Sequence, residues 1–206
     1  MASCTAKVTI SDPINPNAIC QDASVALDAS GNGSITVADI DNGSNDNCGI
    51  KSRVLDITAF DCNDIPEKTV TLTITDDHNN VASCTAKVSI SDPIAPNAIC
   101  QDASVALDAS GNGSITVADI DNGSNDNCGI KSRVLDITAF TCSDIPTKIV
   151  TLTITDDHNN VASCTAKVTI SDPIAPNAIC QDASVALDAS GNGSITVADI
   201  DNGSND

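Results

Sequence analysis

Oxygen-bearing side chains are concentrated in one polar segment, ADIDNGSNDNCGI at residues 38–50. Carboxylate or amide oxygens are supplied there by Asp39, Asp41, Asn45 and Asp46. Ca²⁺ takes roughly six to eight oxygen ligands, and a flexible loop can provide several of them. The segment lacks the glutamate that closes an EF-hand loop, so it is not an EF-hand. The alternative is a turn without metal, because Asn, Asp, Gly and Ser are the residues that turns require.

This polar segment occurs once in each repeat of the chain, because the sequence has a period of 80 residues. ASCTAKV begins at positions 2, 82 and 162, and residues 14–93 differ from residues 94–173 at only six positions. Solenoid repeats are shorter, at roughly 20–50 residues, so each unit here fits one small domain. We therefore predict complete modules at 14–93 and 94–173. The last strand of a preceding module occupies 1–13, and the first strands of an incomplete module occupy 174–206.

Each module is predicted to be all-β. VTLTIT at 70–75 and CTAKVSI at 84–90 alternate in polarity, as half-buried strands do. IKSRVLDITAF at 50–60 is a further strand candidate, and SVALD and SITVADI flank the turn ASGNGS. No stretch has a helical period with caps. Six or seven short strands in about 80 residues predict tandem immunoglobulin-like β-sandwich modules, joined by the stiff proline linker SDPIAPNA at 91–98.

Charge and cysteine content exclude several classes of function. The 28 acidic and 9 basic residues give a net charge of −19, which repels nucleic acid and anionic membranes. No apolar run is long enough to insert into a membrane, and residues 1–30 contain no signal peptide. No CxxC pair occurs among the 10 cysteines, so we predict disulfides and an extracellular or cell-surface location. We do not expect an enzyme, because a repeated loop offers no cleft with paired catalytic groups.

The modules resemble the hyalin-repeat (HYR-like) modules of immunoglobulin type. They are most similar to the tandem modules of giant adhesins on Bacteroidota cell surfaces, including gliding-motility adhesins. The matching motifs are ICQD, DNGSNDNCGI, TVTLTITDDHNNVASCTAKV and the proline linker, and together they cover essentially the whole chain. These motifs specify the type of module more closely than its biological role.

Four cysteines in one module can pair in three ways. In an immunoglobulin-like sandwich the first and last strands run side by side, which favours a bridge between the first and last cysteines of the module. The middle two cysteines would then close the middle loop. The expected pairs are Cys20–Cys84, Cys48–Cys62, Cys100–Cys164 and Cys128–Cys142. The alternative joins Cys84 to Cys100 across the linker.

The same fold places the polar loop, the last hairpin and the linker at one end of each module. Carboxylates gathered there would repel each other unless a cation neutralised them. We therefore predict a loop or junctional Ca²⁺ site in each module, and no organic cofactor. The candidate ligands are Asp12, Asp39, Asp41, Asn45, Asp46, Asp76 and Asp77 in the first module, and Asp92, Asp119, Asp121, Asn125, Asp126, Asp156 and Asp157 in the second.

These features predict the stalk of a long secreted or cell-surface adhesin or filament, which acts as a spacer resistant to force and proteolysis. Its partners would be the neighbouring repeats of the same chain. One alternative is a homopolymeric extracellular fibre, assembled through strand edges or incomplete modules. Another is a multivalent array with a ligand patch on every module.

Overall fold

Two sheets form in each of the two complete repeats, and the computed structural model describes all 206 residues. The first repeat contains β1 (Ala23–Ala26), β2 (Asn32–Ser34), β3 (Ile50–Leu55), β4 (Ala59–Asp61), β5 (Glu67–Asp76) and β6 (Val81–Ser91). The second contains β7 (Ala103–Ala106), β8 (Asn112–Ser114), β9 (Ile130–Leu135), β10 (Ala139–Thr141), β11 (Thr147–Asp156) and β12 (Val161–Ser171). The strand orders are β1-β6-β5-β3 and β2-β4 in the first repeat, and β7-β12-β11-β9 and β10-β8 in the second. The prediction of tandem all-β sandwich modules is confirmed.

Alternating residues build the core of each sandwich. Along β5, Val70, Leu72 and Ile74 are fully buried, and the threonines between them are half-buried. Side chains of successive strand residues point to opposite faces, so the apolar set lies on one face. Burying one such side chain contributes about 1.5–3 kcal/mol. The first core consists of Val25, Leu27, Ile35, Ile40, Leu55, Phe60, Val70, Leu72, Ile74, Ala86, Val88 and Ile90.

The first and last strands of each repeat lie side by side. β1 pairs with β6 in parallel, with Ala23 opposite Val88. This pairing brings Cys20 next to Cys84, and the two are disulfide-bonded with their Cα atoms 5.7 Å apart. In the second repeat β7 pairs with β12 in the same way, and Cys100 is bonded to Cys164. Each bridge therefore joins the two ends of one sandwich.

A short helix replaces part of an expected strand. SITVADI was expected to be extended, but the structure ends β2 at Ser34 and forms α1 (Val37–Ile40), with equivalents α2 (Val117–Ile120) and α3 (Val197–Ile200). Thr36 is the N-cap residue, and the Asp39 side chain accepts a hydrogen bond from its backbone N–H at 2.7 Å. The Thr-x-x-Asp spacing was the sequence signal for this capping arrangement. No helix in the structure is long and apolar enough to cross a membrane.

The chain divides into two compact units whose bounds differ from those of the sequence repeats. The first unit contains residues 1–97, 125–132 and 154–162, and the second contains residues 98–124, 133–153 and 163–206. Two segments of the second repeat, 125–132 and 154–162, therefore belong to the first unit. The module bounds at 14–93 and 94–173 remain a prediction.

Candidate functional site

A disulfide inside the first unit connects the two repeats. Cys62 is bonded to Cys128, with their Cα atoms 5.4 Å apart, and the expected Cys48–Cys62 bridge does not form. The geometry of β5 explains the difference. Cys62 lies just before the start of β5, whereas Cys48 lies near Ile50, which pairs with Asp76 at the other end of β5. A ten-residue strand spans about 33 Å, and a disulfide requires Cα atoms within about 7 Å.

The remaining cysteines have free thiols. Because Cys128 is bonded to Cys62, the expected Cys128–Cys142 bridge does not form either. The alternative bridge from Cys84 to Cys100 is also absent, since each of these residues is bonded within its own repeat. The exposed free cysteines are Cys4, Cys48, Cys142 and Cys180.

Asn127 fixes the loop that carries Cys128. Its side-chain amide donates to the Asp28 carbonyl oxygen at 3.2 Å and to Asp92 Oδ1 at 3.1 Å. The backbone carbonyl oxygen of Asn127 lies against Gly31, where an added Cβ atom would come within 2.9 Å of that oxygen. Gly31 also has a φ of 74°, a conformation that glycine adopts without steric cost. Polar contacts and close backbone packing therefore accompany the covalent bridge.

Three aspartates meet beside this bridge. Asp92, Asp126 and Asp156 each place one carboxylate oxygen within 4.8 Å of the other two. Asp92 comes from the linker, Asp126 from the polar loop and Asp156 from the end of β11. Asp156 is fully buried, and Asp92 is 7% exposed. The predicted convergence of loop, hairpin and linker carboxylates is thus present for three of the seven candidate ligands of this repeat.

Only some of the carboxylate oxygens of these three aspartates accept hydrogen bonds. Asp156 accepts from the backbone N–H groups of His158 and Asn160 at 2.8 Å, and from the Asn160 side chain at 2.7 Å. Asp126 Oδ2 accepts from the Cys128 N–H at 2.8 Å. Asp126 Oδ1 and Asp92 Oδ2 are buried and have no hydrogen-bond partner. Buried acceptors without partners are uncommon, because each forfeits its hydration.

The geometry of these three aspartates fits a bound Ca²⁺. Oxygens that ligate one Ca²⁺ at about 2.3–2.6 Å lie within about 5 Å of each other, which matches the spacing observed here. Without a cation, each pair of charges at this distance repels by on the order of 3 kcal/mol at an effective dielectric constant of about 20. No Lys or Arg forms an ion pair with them, and the nearest base is His158, whose Nδ1 lies 3.5 Å from Asp92 Oδ2.

An equivalent cluster lies at the start of the first repeat. Asp12, Asp46 and Asp76 place carboxylate oxygens within 4.8 Å of one another, and Asp46 Oδ1 is buried without a partner. Burial raises the pKa of Asp76, but hydrogen bonds from Asn80 and His78 outweigh this effect and hold the pKa below its usual range. Asp76 is therefore a carboxylate at neutral pH, the form that binds a metal ion.

Other candidate ligands have structural partners elsewhere. Asp39 caps α1, and the hydrogen bond from the Thr36 N–H lowers its pKa. Asp41 Oδ2 lies 2.8 Å from Arg53 Nε. Burial raises the pKa of Asp41. Hydrogen bonds from Ser44 and the interaction with Arg53 lower it by more than burial raises it, so the net shift is downward.

The remaining candidate ligands also lie outside the three-carboxylate clusters. Asn45 donates its side-chain amide to the Gly43 carbonyl oxygen, and the Asp77 carboxylate lies against Gly49. The equivalents in the second repeat are Asp119, which caps α2, Asp121, which pairs with Arg133, Asn125, which pairs with Asn97, and Asp157, which lies against Gly129.

Two asparagines that sequence reasoning missed organise the cluster. Asn127 holds Asp92, as described above. Asn160 donates its side-chain amide to the carbonyl oxygens of Asp92 and Ile94, and to Asp156. It therefore ties the linker to the hairpin. The only sequence signal was the run of polar residues in DDHNN, in which Asn160 resembles an ordinary turn residue.

Comparisons with known proteins yield distant structural similarity and no sequence family. No protein-family model matches the sequence, and no curated protein matches it. Human mucin-like protocadherin EC1-2 aligns with a TM-score of 0.38 at 11% identity, over 76% of this chain and 98% of that one. Drosophila N-cadherin EC1-4 aligns with a TM-score of 0.42 at 12% identity, over 77% of this chain and 50% of that one. This chain therefore spans about half the length of the N-cadherin structure.

Proposed function

We propose that this protein is the stalk of an extracellular adhesin or filament, in which consecutive β-sandwich repeats are covalently locked into one spacer. The observation that carries the proposal is the bridge between Cys62 and Cys128. The three disulfide loops span residues 20–84, 62–128 and 100–164, so each overlaps the next. Disulfides of this kind persist in oxidising compartments, which supports an extracellular location.

Overlapping loops protect the chain against cleavage. Every peptide bond between Cys20 and Cys164 lies inside at least one loop, so a single cut there leaves the molecule covalently whole. Only the Cys62–Cys128 loop covers the linker between Cys84 and Cys100. The inter-repeat bridge therefore protects the one connection that the two intra-repeat bridges leave open.

The two intra-repeat bridges, Cys20–Cys84 and Cys100–Cys164, limit extension under force. The shortest covalent path from Cys20 to Cys164 passes through two disulfides and the chain between residues 84 and 100. That chain spans at most about 60 Å when fully extended. Without disulfides, the same two points could separate by about 500 Å on unfolding. A spacer built in this way keeps its length even if a sandwich opens.

The test uses a specific protease site inserted at Ala95, an exposed linker position. After cleavage, the oxidised protein should run as one species without reductant and as two with reductant. The double variant C62S/C128S should separate into two species in both conditions. Single-molecule pulling should release less than about 60 Å between residues 20 and 164 before reduction, and several hundred ångströms after it. A release of several hundred ångströms from the oxidised chain would contradict the stalk function.

We also propose that Ca²⁺ binds where the linker meets the polar loop of the next repeat, beside the Cys62–Cys128 bridge. Three carboxylates converge beside the bridge, and two of their buried oxygens have no hydrogen-bond partner. Asp92 comes from the linker and Asp126 from the next polar loop, so a cation bound to both would stiffen the connection. The resemblance to hyalin-repeat adhesin modules is consistent with this extracellular role.

Calcium binding is tested by thermal unfolding with millimolar CaCl₂ and with EDTA. Calcium at a hundred times its Kd should stabilise the fold by about 2.7 kcal/mol, and EDTA should reverse the effect. The double variant D46N/D126N removes one ligand from each cluster and should lose the response. The control D77N/D157N removes the same charge from adjacent residues outside the clusters and should keep it. An unchanged melting temperature in the wild-type protein would refute the cation site and leave the stalk proposal standing.

A further inference from the structure

Unsatisfied hydrogen-bond acceptors are concentrated where the linker meets the polar loop and the last hairpin of the second repeat. Five buried side-chain nitrogen or oxygen atoms in the chain have no hydrogen-bond partner, and four of them are Asp92 Oδ2, Asp126 Oδ1, Asn127 Oδ1 and His158 Nδ1. All four residues belong to the first compact unit. Buried polar atoms without partners are uncommon, so their concentration in one place points to a missing binding partner.

The imidazole of His158 lies beside the linker carboxylate without a hydrogen bond to it. Its Nδ1 atom is 3.5 Å from Asp92 Oδ2, whereas an N–H···O hydrogen bond measures about 2.7–3.2 Å. The Asp92 side chain is fully buried, and that of His158 is 22% exposed. A neutral imidazole with its proton on Nε2 presents a lone pair at Nδ1. Two acceptors then lie next to each other, and a cation bound to both would satisfy them.

The hairpin after β11 fixes the position of this histidine. The His158 backbone N–H donates to Asp156 Oδ1 at 2.8 Å, so the residue is tied to a fully buried carboxylate. Asn160 donates its side-chain amide to Asp156 Oδ2 and to the Asp92 carbonyl oxygen, which ties the same carboxylate to the linker. Cys128 also lies within 4.8 Å of Asp92 and His158, but its sulfur is in a disulfide and offers no thiolate to a metal.

We propose that His158 Nδ1, Asp92 Oδ2 and Asp126 Oδ1 form a site for Zn²⁺ or a chemically similar transition-metal ion. Imidazole nitrogen suits Zn²⁺, whereas Ca²⁺ takes oxygen ligands. Zinc bonds of about 2.0–2.1 Å to two atoms 3.5 Å apart enclose an angle of about 115°, close to the tetrahedral value. Asp92 and Asp126 place carboxylate oxygens within 4.8 Å of each other. The inference rests on the cation site proposed above and adds a nitrogen ligand, which selects a different class of ion.

The probe is ZnCl₂, titrated by isothermal calorimetry into the full-length oxidised protein in the absence of reductant. The exposed thiols are first alkylated with iodoacetamide, because thiolates bind Zn²⁺ themselves; they belong to Cys4, Cys48, Cys142 and Cys180. The wild-type chain should bind Zn²⁺, and the variant H158A should weaken that binding by more than about 100-fold. That factor is the upper end of the loss caused by removing an outer-shell partner of a metal ligand, and here a ligand itself is removed.

The matched control is H78A, which changes the equivalent histidine of the first repeat. The His78 side chain is 46% exposed, and its Nδ1 atom lies 3.7 Å from Asp12 Oδ2. Neither His78 Nδ1 nor Asp12 Oδ2 is among the buried atoms without a partner. H78A should therefore leave the Zn²⁺ affinity unchanged, and circular dichroism of both variants shows whether they are folded.

Calcium separates this inference from the proposal on which it rests. The shift of the melting temperature with CaCl₂ should be the same in H158A as in the wild-type protein, because Ca²⁺ is held by carboxylates. A wild-type chain that responds to Ca²⁺ but binds no Zn²⁺, or equal Zn²⁺ affinities in H158A and H78A, would overturn the inference and leave the calcium site standing. Zn²⁺ binding that is lost only in H158A would support the inference, even in a chain that does not respond to Ca²⁺.

Discussion

The side chain of Asn160 provides a direct test of how the linker is held. Its amide donates to the Asp92 and Ile94 carbonyl oxygens at 3.0 and 3.1 Å and to Asp156 Oδ2 at 2.7 Å. The substitution Asn160→Ala removes all three bonds and leaves two partly buried carbonyls without a donor. An acceptor left unsatisfied costs about 1–3 kcal/mol, and these sites are only partly buried, so we expect a total loss of about 2–3 kcal/mol.

Thermal unfolding followed by circular dichroism, with EDTA present, measures this loss without a contribution from cations. The melting temperature should fall by on the order of 10 °C, given the sensitivity of domains of about 100 residues. The control Asn122→Ala changes an exposed turn residue whose hydrogen bond to Ile99 is made by its backbone N–H, and it should shift the transition by less than about 2 °C. Equal shifts in the two variants would refute the assigned role of the amide.

Asn80 offers a second, independent copy of the same experiment. Its amide donates to the Asp12 and Ile14 carbonyl oxygens at 3.0 Å and to Asp76 Oδ2 at 2.7 Å. The losses at the two sites should add, because distant sites without shared partners behave independently. If the double variant N80A/N160A were no less stable than either single variant, the amides of Asn80 and Asn160 would not stabilise the fold independently.

Three further predictions concern acid, glycine and core positions. The pKa of Asp76 is lowered in the folded state, so the ionised carboxylate stabilises the fold at neutral pH, and this stabilisation is lost as pH falls below about 4. The melting temperature measured as a function of pH should therefore decline below about pH 4 and stay constant between about pH 5 and 7. Gly31→Ala should slow formation of the inter-repeat disulfide in refolding assays, whereas Gly43→Ala, which also has positive φ but open space around it, should not. Leu72→Ala should cost about 2–5 kcal/mol in urea unfolding, and the exposed Val54→Ala should cost less than about 0.5 kcal/mol.

The electrostatics of the two clusters explain why acidic residues are tolerated inside the joint. In the first cluster, Asp12 is held by the Ile14 N–H, and this hydrogen bond is the largest cause of its lowered pKa. Neighbouring carboxylates act in the opposite direction on the thiol of Cys48, whose pKa is raised first by its hydrogen bond to Asp12. Donors aimed at individual oxygens thus stabilise the charges, while the unpartnered oxygens remain available to a cation.

Local pattern was sufficient for much of the fold. The alternation in β5 and β6 follows from a strand's two-residue period, so the buried residues could be identified from their spacing alone. The period of 80 residues similarly predicts one sandwich per repeat. The bridge from Cys20 to Cys84 required only the rule that the first and last strands of such a sandwich are neighbours.

The candidate site was only partly predictable, because the sequence does not distinguish the aspartates that join the cluster from those that do not. Asp39, Asp41 and Asp46 all offer oxygen ligands, but α1 directs Asp39 to its own cap and Arg53 pairs with Asp41. Only Asp46 reaches the cluster of the first repeat. The partner of Asp39 is local, whereas Asp41 is withdrawn from the cluster by Arg53, which lies on the next strand, β3.

The sequence by itself determined the modules, their alternating strands and the residue types of the joint, since these depend on local periodicity and repetition. The tertiary structure alone decided which cysteine Cys62 would meet. Cys48 and Cys128 occupy identical sequence, so no local signal distinguishes them. The length of β5 separates Cys62 from Cys48 in its own repeat, and the folded chain brings Cys128 of the next repeat to it. Because a repeated sequence does not specify which copy of a cysteine lies nearby in space, the tertiary structure decided that this disulfide joins two repeats.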